Sequence, residues 1–334
     1  MASRPQIICL TPVLNEAWIL EKFLACASLW ADRIVVADAG STDESRAIAE
    51  RCERAIVVHN RAGGIDEESR QRLLIDAARE IPGPKILVAL DADEFLTADF
   101  ERSPEWQAIL TAPPGTLFQF RIINLLPGFQ RAWIADGSAA AYVDDGREHV
   151  GRHIHGPRLP RPPNERRIRL NDIGVLHYQY TDWLRMESKH VWYQCYECLH
   201  YPEKHTVELF RKYHHMYCFR HRPKLTIPVE SRWFEQYERA GIAMREMRSM
   251  VPWWDEAVVG MMMERGARAF ARAAIWDRDW AACSAPHHAG HEEELRDPRT
   301  MRERALHAYL HATQNWPDRA PVKLIDYTLR ALGA

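Results

Sequence analysis

Long apolar runs are missing from this 334-residue sequence. Its longest stretches, such as Ile86-Leu87-Val88-Ala89-Leu90, fall far short of the ~20 residues needed to cross a bilayer, and the amino terminus leads into a strand-like segment instead of a signal-peptide core. An excess of one charge is missing too. Lys and Arg number 44 against 46 Asp and Glu, a formal net charge of -2, so no global field points to a nucleic acid partner and any polyanion site must be local. The seven cysteines (Cys9, Cys26, Cys52, Cys195, Cys198, Cys218, Cys283) are odd in number and without framework spacing, which suits a reducing compartment. No GxGxxG follows the first strand and no GxxxxGK[ST] occurs anywhere, which argues against dinucleotide and P-loop chemistry. The expectation is a cytoplasmic chain.

What is present is a hydrophobic fraction of 46% with 27% charged residues, enough for one large α/β domain or two domains. Sixteen histidines and 12 tryptophans stand out, and both types join an apolar body to a polar edge, as wet clefts or a half-buried second layer require. The first ~95 residues alternate short apolar runs with helical patterns, the signature of βαβ units and a mostly parallel sheet. Strands are predicted over 6–11, 33–37, 55–58 and 85–90, with helices over 17–29, from a Ser41–Glu44 capping box to about 51, and over 67–79. Later strands are predicted over 118–123, 139–143 and 175–180. Between them, residues 147–169 hold seven arginines, three histidines and four prolines against Glu148 and Glu165, and should be extended and basic. From Trp183 onward amphipathic helices take over, for example over 233–250 and 255–276. The expected division is 1–185 for an α/β domain and 186–334 for a helical region.

Three polar clusters follow predicted strands: Asn15-Glu16, Asp38 with Asp43, and Asp91-Ala92-Asp93-Glu94. Ligands of open parallel sheets bind outside the carboxyl ends of the strands, so these clusters should converge on one cleft. Two carboxylates one residue apart at a strand end can hold a hard divalent ion, with phosphate oxygens and water completing its coordination. Mg²⁺ or Mn²⁺ on a diphosphate fits that donor set.

The residues Thr11-Pro12-Val13-Leu14-Asn15-Glu16, Val35-Val36-Ala37-Asp38-Ala39-Gly40-Ser41-Thr42-Asp43 and Leu90-Asp91-Ala92-Asp93-Glu94 resemble the ordered motif set of family 2 glycosyltransferases with the GT-A fold. The likeness is firm over 6–96. It continues through Ile154-His155 and Val175-Leu176-His177-Tyr178-Gln179-Tyr180 to Lys189, where it is similar to bacterial lipopolysaccharide-type members. The resemblance implies a GT-A type twisted sheet flanked by helices, with a carboxyl-terminal helical extension. It implies that Pro12, Val13, Asn15 and Glu16 line the base pocket, that Asp38 contacts the base, and that Arg72 lies near the nucleotide. Asp91 would face the ribose or a metal-bound water, Ala92 would belong to the same nucleotide-binding set, and Asp93 would bind the metal that neutralises the leaving diphosphate. The implied reaction moves a sugar from a UDP- or GDP-linked donor to a hydroxyl of a glycan or glycolipid, with inversion expected.

Inversion needs a base on the acceptor hydroxyl. Relatives carry His-Glu where this chain has His155-Gly156, so the base falls among Asp136, Asp144, Asp145 and Glu148. His149, His153 and His155 differ by even numbers and would share one face of an extended strand, offering a metal ligand or a solvated basic strand. His177 offers a metal ligand or a satisfied buried histidine. Cys195 and Cys198 have CxxC spacing, but their aromatic neighbours favour core packing over zinc. The polar loop around His287, His288 and His291 reads as a surface feature. The seven arginines suit an anionic acceptor, a diphosphate or peripheral contact at the inner membrane face, with ordinary surface pairing as the alternative. A nucleotidyltransferase, or a silent module that binds glycan or protein, are the competing readings.

Overall fold

A computed structural model describes residues 4–60, 66–153, 155–161, 166–250, 252–283 and 293–333. The chain divides into two compact units, one of Met1–Thr181 with Pro228–Ser249, the other of Asp182–Ile227 with Met250–Ala334. The first unit thus ends four residues before the expected boundary at 185 and also takes back a later segment.

The apolar runs of the first unit form a mixed, mostly parallel sheet with helices against it. In chain order come β1 (Gln6–Val13), α1 (Leu20–Ala27), β2 (Arg33–Asp38), α2 (Ser45–Arg51), β3 (Ala55–His59), α3 (Glu67–Arg79), β4 (Lys85–Ala89), β5 (Glu94–Leu96), α4 (Pro104–Thr111), β6 (Thr116–Leu125), β7 (Arg131–Val143) and β8 (Arg166–His177). Their order in the sheet is β3-β2-β1-β4-β7-β6-β8-β5. The β3-β2-β1-β4 half is all parallel, and β8 lies parallel to β6, whereas β7 is antiparallel to both β4 and β6, and β5 to β8. Every residue of β4 is buried, as a continuous apolar run demands of a strand covered on both faces. The α3 face of Leu74, Ile75 and Ala78 packs on Ile8, Leu10, Val35, Ala37, Leu87 and Ala89 of β1, β2 and β4.

Several local expectations change. The Ser41–Glu44 capping box does not form, because α2 begins at Ser45 and the Ser41 Oγ instead accepts the Asn15 N–H at 3.0 Å. The described residues of 147–158 form no strand: His149 is buried while His153 and His155 are exposed, so the three histidines share no face. Pro157 lacks the N–H a ladder needs, and Gly151 and Gly156 weaken extended pairing through their backbone freedom. The strand predicted over 118–123 extends to ten residues, and that over 139–143 to thirteen. β8 carries an irregular stretch in its register with β6, and the Glu105 carboxylate accepts the N–H groups of Asn171, Asp172 and Ile173 there at 2.8, 3.0 and 2.9 Å. The helix predicted over 233–250 shrinks to Glu235–Arg239, and that over 255–276 to Trp254–Arg265. The chain leaves helical geometry at Gly241 (φ 81°) and Gly266 (φ 76°), where left-handed backbone costs glycine little.

The second unit is helical. α5 (Trp183–His200), capped by the Asp182 carboxylate on Arg185 N–H at 3.1 Å, packs with α6 (Thr206–His214) and the helix Trp254–Arg265. Its core holds Val191, Cys195, Cys198, Tyr213, Val258, Met262 and Trp280, which places both CxxC thiols in apolar packing. No described helix is long and apolar enough to cross a membrane. The loop with His287, His288 and His291 lies outside the described residues.

Candidate functional site

Parallel register carries the three polar clusters to one edge of the first unit. Val13 of β1 pairs with Asp38 of β2, and Leu10 of β1 with Ala89 of β4, so the chain leaves all three strands side by side. Asn15 sits in left-handed backbone (φ 55°), and its Oδ1 accepts from Thr42 N–H at 2.8 Å and Asp43 N–H at 3.3 Å. In return, the Ser45 Oγ and Asp43 carboxylate accept the N–H groups of Glu16 and Ala17 at 2.8 and 3.0 Å. The loops after β1 and β2 are therefore one hydrogen-bonded unit. Glu16 also takes the Trp18 indole N–H at 2.6 Å, and buried Asp38 closes its own turn through Ser41 N–H at 3.1 Å. Pro12 is half-buried, and Val13 and Ala92 are buried. Arg72 on α3 pairs with Glu68 at 2.8 Å and lies 3.7 Å from Glu148.

After β4 the acidic cluster turns into β5. Asp93 is buried, and its Oδ2 lies 3.7 Å from Nε2 of His177, which ends β8 on the same edge. The Asn124 amide, paired with His177 across β6 and β8, orients that ring. Asn124 Nδ2 donates towards the Trp133 carbonyl at 3.5 Å, so its Oδ1 accepts from His177 Nδ1 at 2.8 Å. Nε2 is then the ring nitrogen that faces the Asp93 carboxylate, and it carries the lone pair whenever the ring is neutral. A carboxylate and an imidazole lone pair at that spacing, with the ring fixed from behind, fit a hard divalent cation in kind, Mn²⁺ somewhat better than Mg²⁺. His155 does not join them: it is exposed in left-handed backbone (φ 56°), and among the described residues no three of His, Cys, Asp and Glu gather as metal ligands.

Sequence reasoning missed Asn124 and, above all, Arg158. Its guanidinium donates to Glu94 Oε2 at 2.5 Å, Glu94 Oε1 at 3.2 Å and Asp91 Oδ2 at 2.6 Å. Burial works against its charge, but Asp91 and Glu94 more than compensate and hold its pKa above the usual value. The segment delivering it lies along α3. Asp144 takes Arg79 at 2.8 Å, Glu148 lies near Arg72, Glu67 N–H donates to the His153 carbonyl at 2.9 Å, and Glu67 Oε2 accepts Gly156 N–H at 3.1 Å. A Cβ at Gly156 would stand 2.8 Å from the Arg152 backbone nitrogen, so this loop has no room for the glutamate found there in the resembled family. Three carboxylates in four residues signal a need for a cation, but sequence gives no means of choosing among seven arginines.

The four base candidates separate by edge. Asp144 and Asp145 lie at the wrong one. β7 runs against β4, Asp144 N–H donates to the Lys85 carbonyl at the start of β4, and six residues of strand and turn, about 20 Å at ~3.3 Å each, separate that end from Asp91. Both are engaged there, Asp144 with Arg79 and Asp145 with the Tyr142 hydroxyl at 2.5 Å and Arg147 at 3.1 Å. Hydrogen bonds from Tyr142 and Arg147 outweigh the burial of Asp145 and lower its pKa, the opposite of what a base requires. Asp136, which pairs with Arg121 beyond the β4–β7 ladder, and Glu148 lie towards the strand-end edge. Asp136 is ion-paired with Arg169 there, and Glu148 is exposed.

No protein-family model matches the chain. Among solved structures it is similar to glucosyl-3-phosphoglycerate synthase from Mycobacterium tuberculosis, solved with Mn²⁺, uridine diphosphate and phosphoglyceric acid. That match has 23% identity over 36% of this chain and 44% of that one, with a TM-score of 0.28. A second structure of that synthase gives 23% identity over 36% and 45%, with a TM-score of 0.27. The inositol-1-phosphate CTP transferase of T. maritima matches with 8% identity over 53% of this chain and 91% of that one, at a TM-score of 0.32. The matched stretch spans less than half the length of the synthase.

Proposed function

We propose that the first unit is a GT-A-type glycosyltransferase of the family 2 kind that binds a UDP- or GDP-linked sugar at the strand-end edge. It transfers the sugar to a hydroxyl of a glycan or glycolipid acceptor. The observation that carries this reading is the meeting of Asn15, Asp38 and Asp91–Glu94 on one edge, with His177 turned onto Asp93. The hydrogen-bonded loops 12–16 and 38–43 form the wall for the base and ribose, with Asp38 held rigid by its turn. Asp93 and His177 would hold Mg²⁺ or Mn²⁺, which supplies Lewis acidity towards the departing diphosphate. Asn124 keeps the His177 tautomer fixed, so the lone pair stays directed to the site. Asp136 and Glu148 remain as bases for the acceptor hydroxyl in an inverting transfer. Residues 14–17 contain no lysine or arginine, which disfavours nucleotidyl transfer with its basic loop after the first strand.

Titration of UDP and GDP, with and without Mn²⁺, against the native chain and Asp93→Ala tests the reading. Metal-dependent binding that the substitution abolishes supports it, and metal-independent binding unaffected by Asp93→Ala refutes the metal role. Slow hydrolysis of one member of a nucleotide-sugar panel would identify the donor.

A further inference from the structure

Asp91, Asp93 and Glu94 put three carboxylates within four residues, two of them buried, and Arg158 meets two of the three. Its contacts are unequal. Glu94 holds the guanidinium through both terminal nitrogens, is itself only 4% exposed, and uses Oε2 a second time to accept Asp91 N–H at 2.9 Å. Asp91 gives one oxygen and is 38% exposed. The Glu94 pairing is thus a fixed anchor. The Asp91 contact lies at the open side and is the one that can break without stranding a buried charge.

We propose that Arg158 makes cation binding conditional on the nucleoside diphosphate. With no donor bound, the guanidinium occupies the Asp91 carboxylate and weakens the field a divalent ion would meet. When a diphosphate arrives, the planar fork stays on Glu94 and turns its second nitrogen from Asp91 to a phosphate oxygen, the geometry for which a guanidinium is suited. Asp91 is then released to the cation or its water. The proposal rests on the donor reading above and adds an order of events to it: metal alone binds weakly, and metal with nucleotide binds cooperatively.

The signature is a pair of effects of opposite sign. Loss of one positive charge ~6 Å from a divalent ion strengthens metal binding by about tenfold even at the dielectric of water. Loss of the guanidinium also removes a phosphate contact. Mn²⁺ binding followed by the electron paramagnetic resonance of the free ion, without nucleotide, should therefore tighten about tenfold in Arg158→Gln. UDP or GDP binding measured calorimetrically in saturating Mn²⁺ should weaken by a similar factor or more. Arg158→Lys retains the charge but not the fork, so its Mn²⁺ affinity should stay near the native value while nucleotide binding weakens. This variant carries the test if Arg158→Gln does not fold, and a general loss of structure would weaken both ligands together. Nucleotide binding with Mn²⁺ affinity unmoved or lowered in Arg158→Gln overturns the role of Arg158 alone. Binding of neither UDP nor GDP by the native chain overturns the donor reading and the exchange with it.

Discussion

The helical second unit should be acid-labile well above the carboxylate range. His190, His214, His215, His307 and His311 all have pKa values lowered first by burial, with His214 near 3 and His307 near 4. The geometry explains why these two stay neutral. His214 stacks on Phe210 at 3.9 Å and 1°, and its Nδ1–H is committed to the Phe210 carbonyl at 3.0 Å. His307 must keep a lone pair on Nδ1 to accept from Arg299 at 2.8 Å, so protonation would break that bond and set two cations together. Asp277, 3.3 Å from His311, works in the other direction, as do the hydrogen bonds that His214 and His311 make to the Phe210 carbonyl and the Gln314 side chain, but burial outweighs them. Because the folded pKa values lie below the unfolded value near 6.5, the unfolded chain binds more protons as pH falls. The contribution is fully present above about pH 6.5 and is lost from there towards pH 4 and below. For His214 and His307 together the loss between pH 6.5 and 4 reaches at most about 7 kcal/mol, at ~1.4 kcal/mol per proton and pH unit. That is comparable to the whole stability of a domain. Urea denaturation of the full chain between pH 7 and 4.5, followed by near-ultraviolet circular dichroism, should show a transition that moves steeply to lower urea. His214→Phe keeps the ring stack and should reduce the slope by about one proton. A transition independent of pH across this range, or an unchanged slope in His214→Phe, would refute the assignment of neutral buried histidines.

Three further outcomes follow from single side chains. Glu197 is fully buried beneath Lys204 at 2.7 Å, Lys212 at 2.5 Å and the Tyr213 hydroxyl at 2.7 Å, so Glu197→Ala leaves two half-buried lysines and a buried hydroxyl without their acceptor and should cost about 2–3 kcal/mol in urea denaturation; a loss below about 1 kcal/mol contradicts this account. Glu105→Ala leaves three backbone N–H groups of β8 without their carboxylate and should lower stability by about 1.5–3 kcal/mol in a thermal melt, whereas Glu105→Asp, too short to span all three, should fall between. Gly156→Ala forces a Cβ to 2.8 Å from the Arg152 backbone nitrogen, so hydrogen exchange at the 156 amide, now held by Glu67, should accelerate and nucleotide affinity should fall with it. Native exchange in that variant would show that the loop yields at no cost.

How much of this was legible from sequence depends on whether a feature is set by local periodicity or by strand direction. The bounds of α3 follow from Leu74, Ile75 and Ala78 recurring on one face, and β4 follows from an apolar run too continuous for a half-exposed strand. A glycine overrides the same periodicity, so the helices predicted over 233–250 and 255–276 stop at Gly241 and Gly266. The site divides in the same way. Asp38 and Asp91 follow strands parallel to β1, and a residue after a parallel strand always emerges at the carboxyl edge. Asp144 also follows a strand, and its sequence context is just as acidic, but β7 is antiparallel to β4 and delivers it to the opposite edge, into the grip of Arg79. The residues that do reach the edge from this half of the sheet come from the start of β7 and the ends of β6 and β8: Trp133, Asn124 and His177. A strand-end carboxylate is therefore evidence for the site only once its strand's direction is known, and the alternation of apolar residues along a strand reads the same in either direction. Arg158 is the extreme case. It reaches Asp91 by a path laid along α3, past Arg79, Arg72 and Glu67 in turn, so its place is a property of the packed helix and not of the arginine-rich stretch in which it is found.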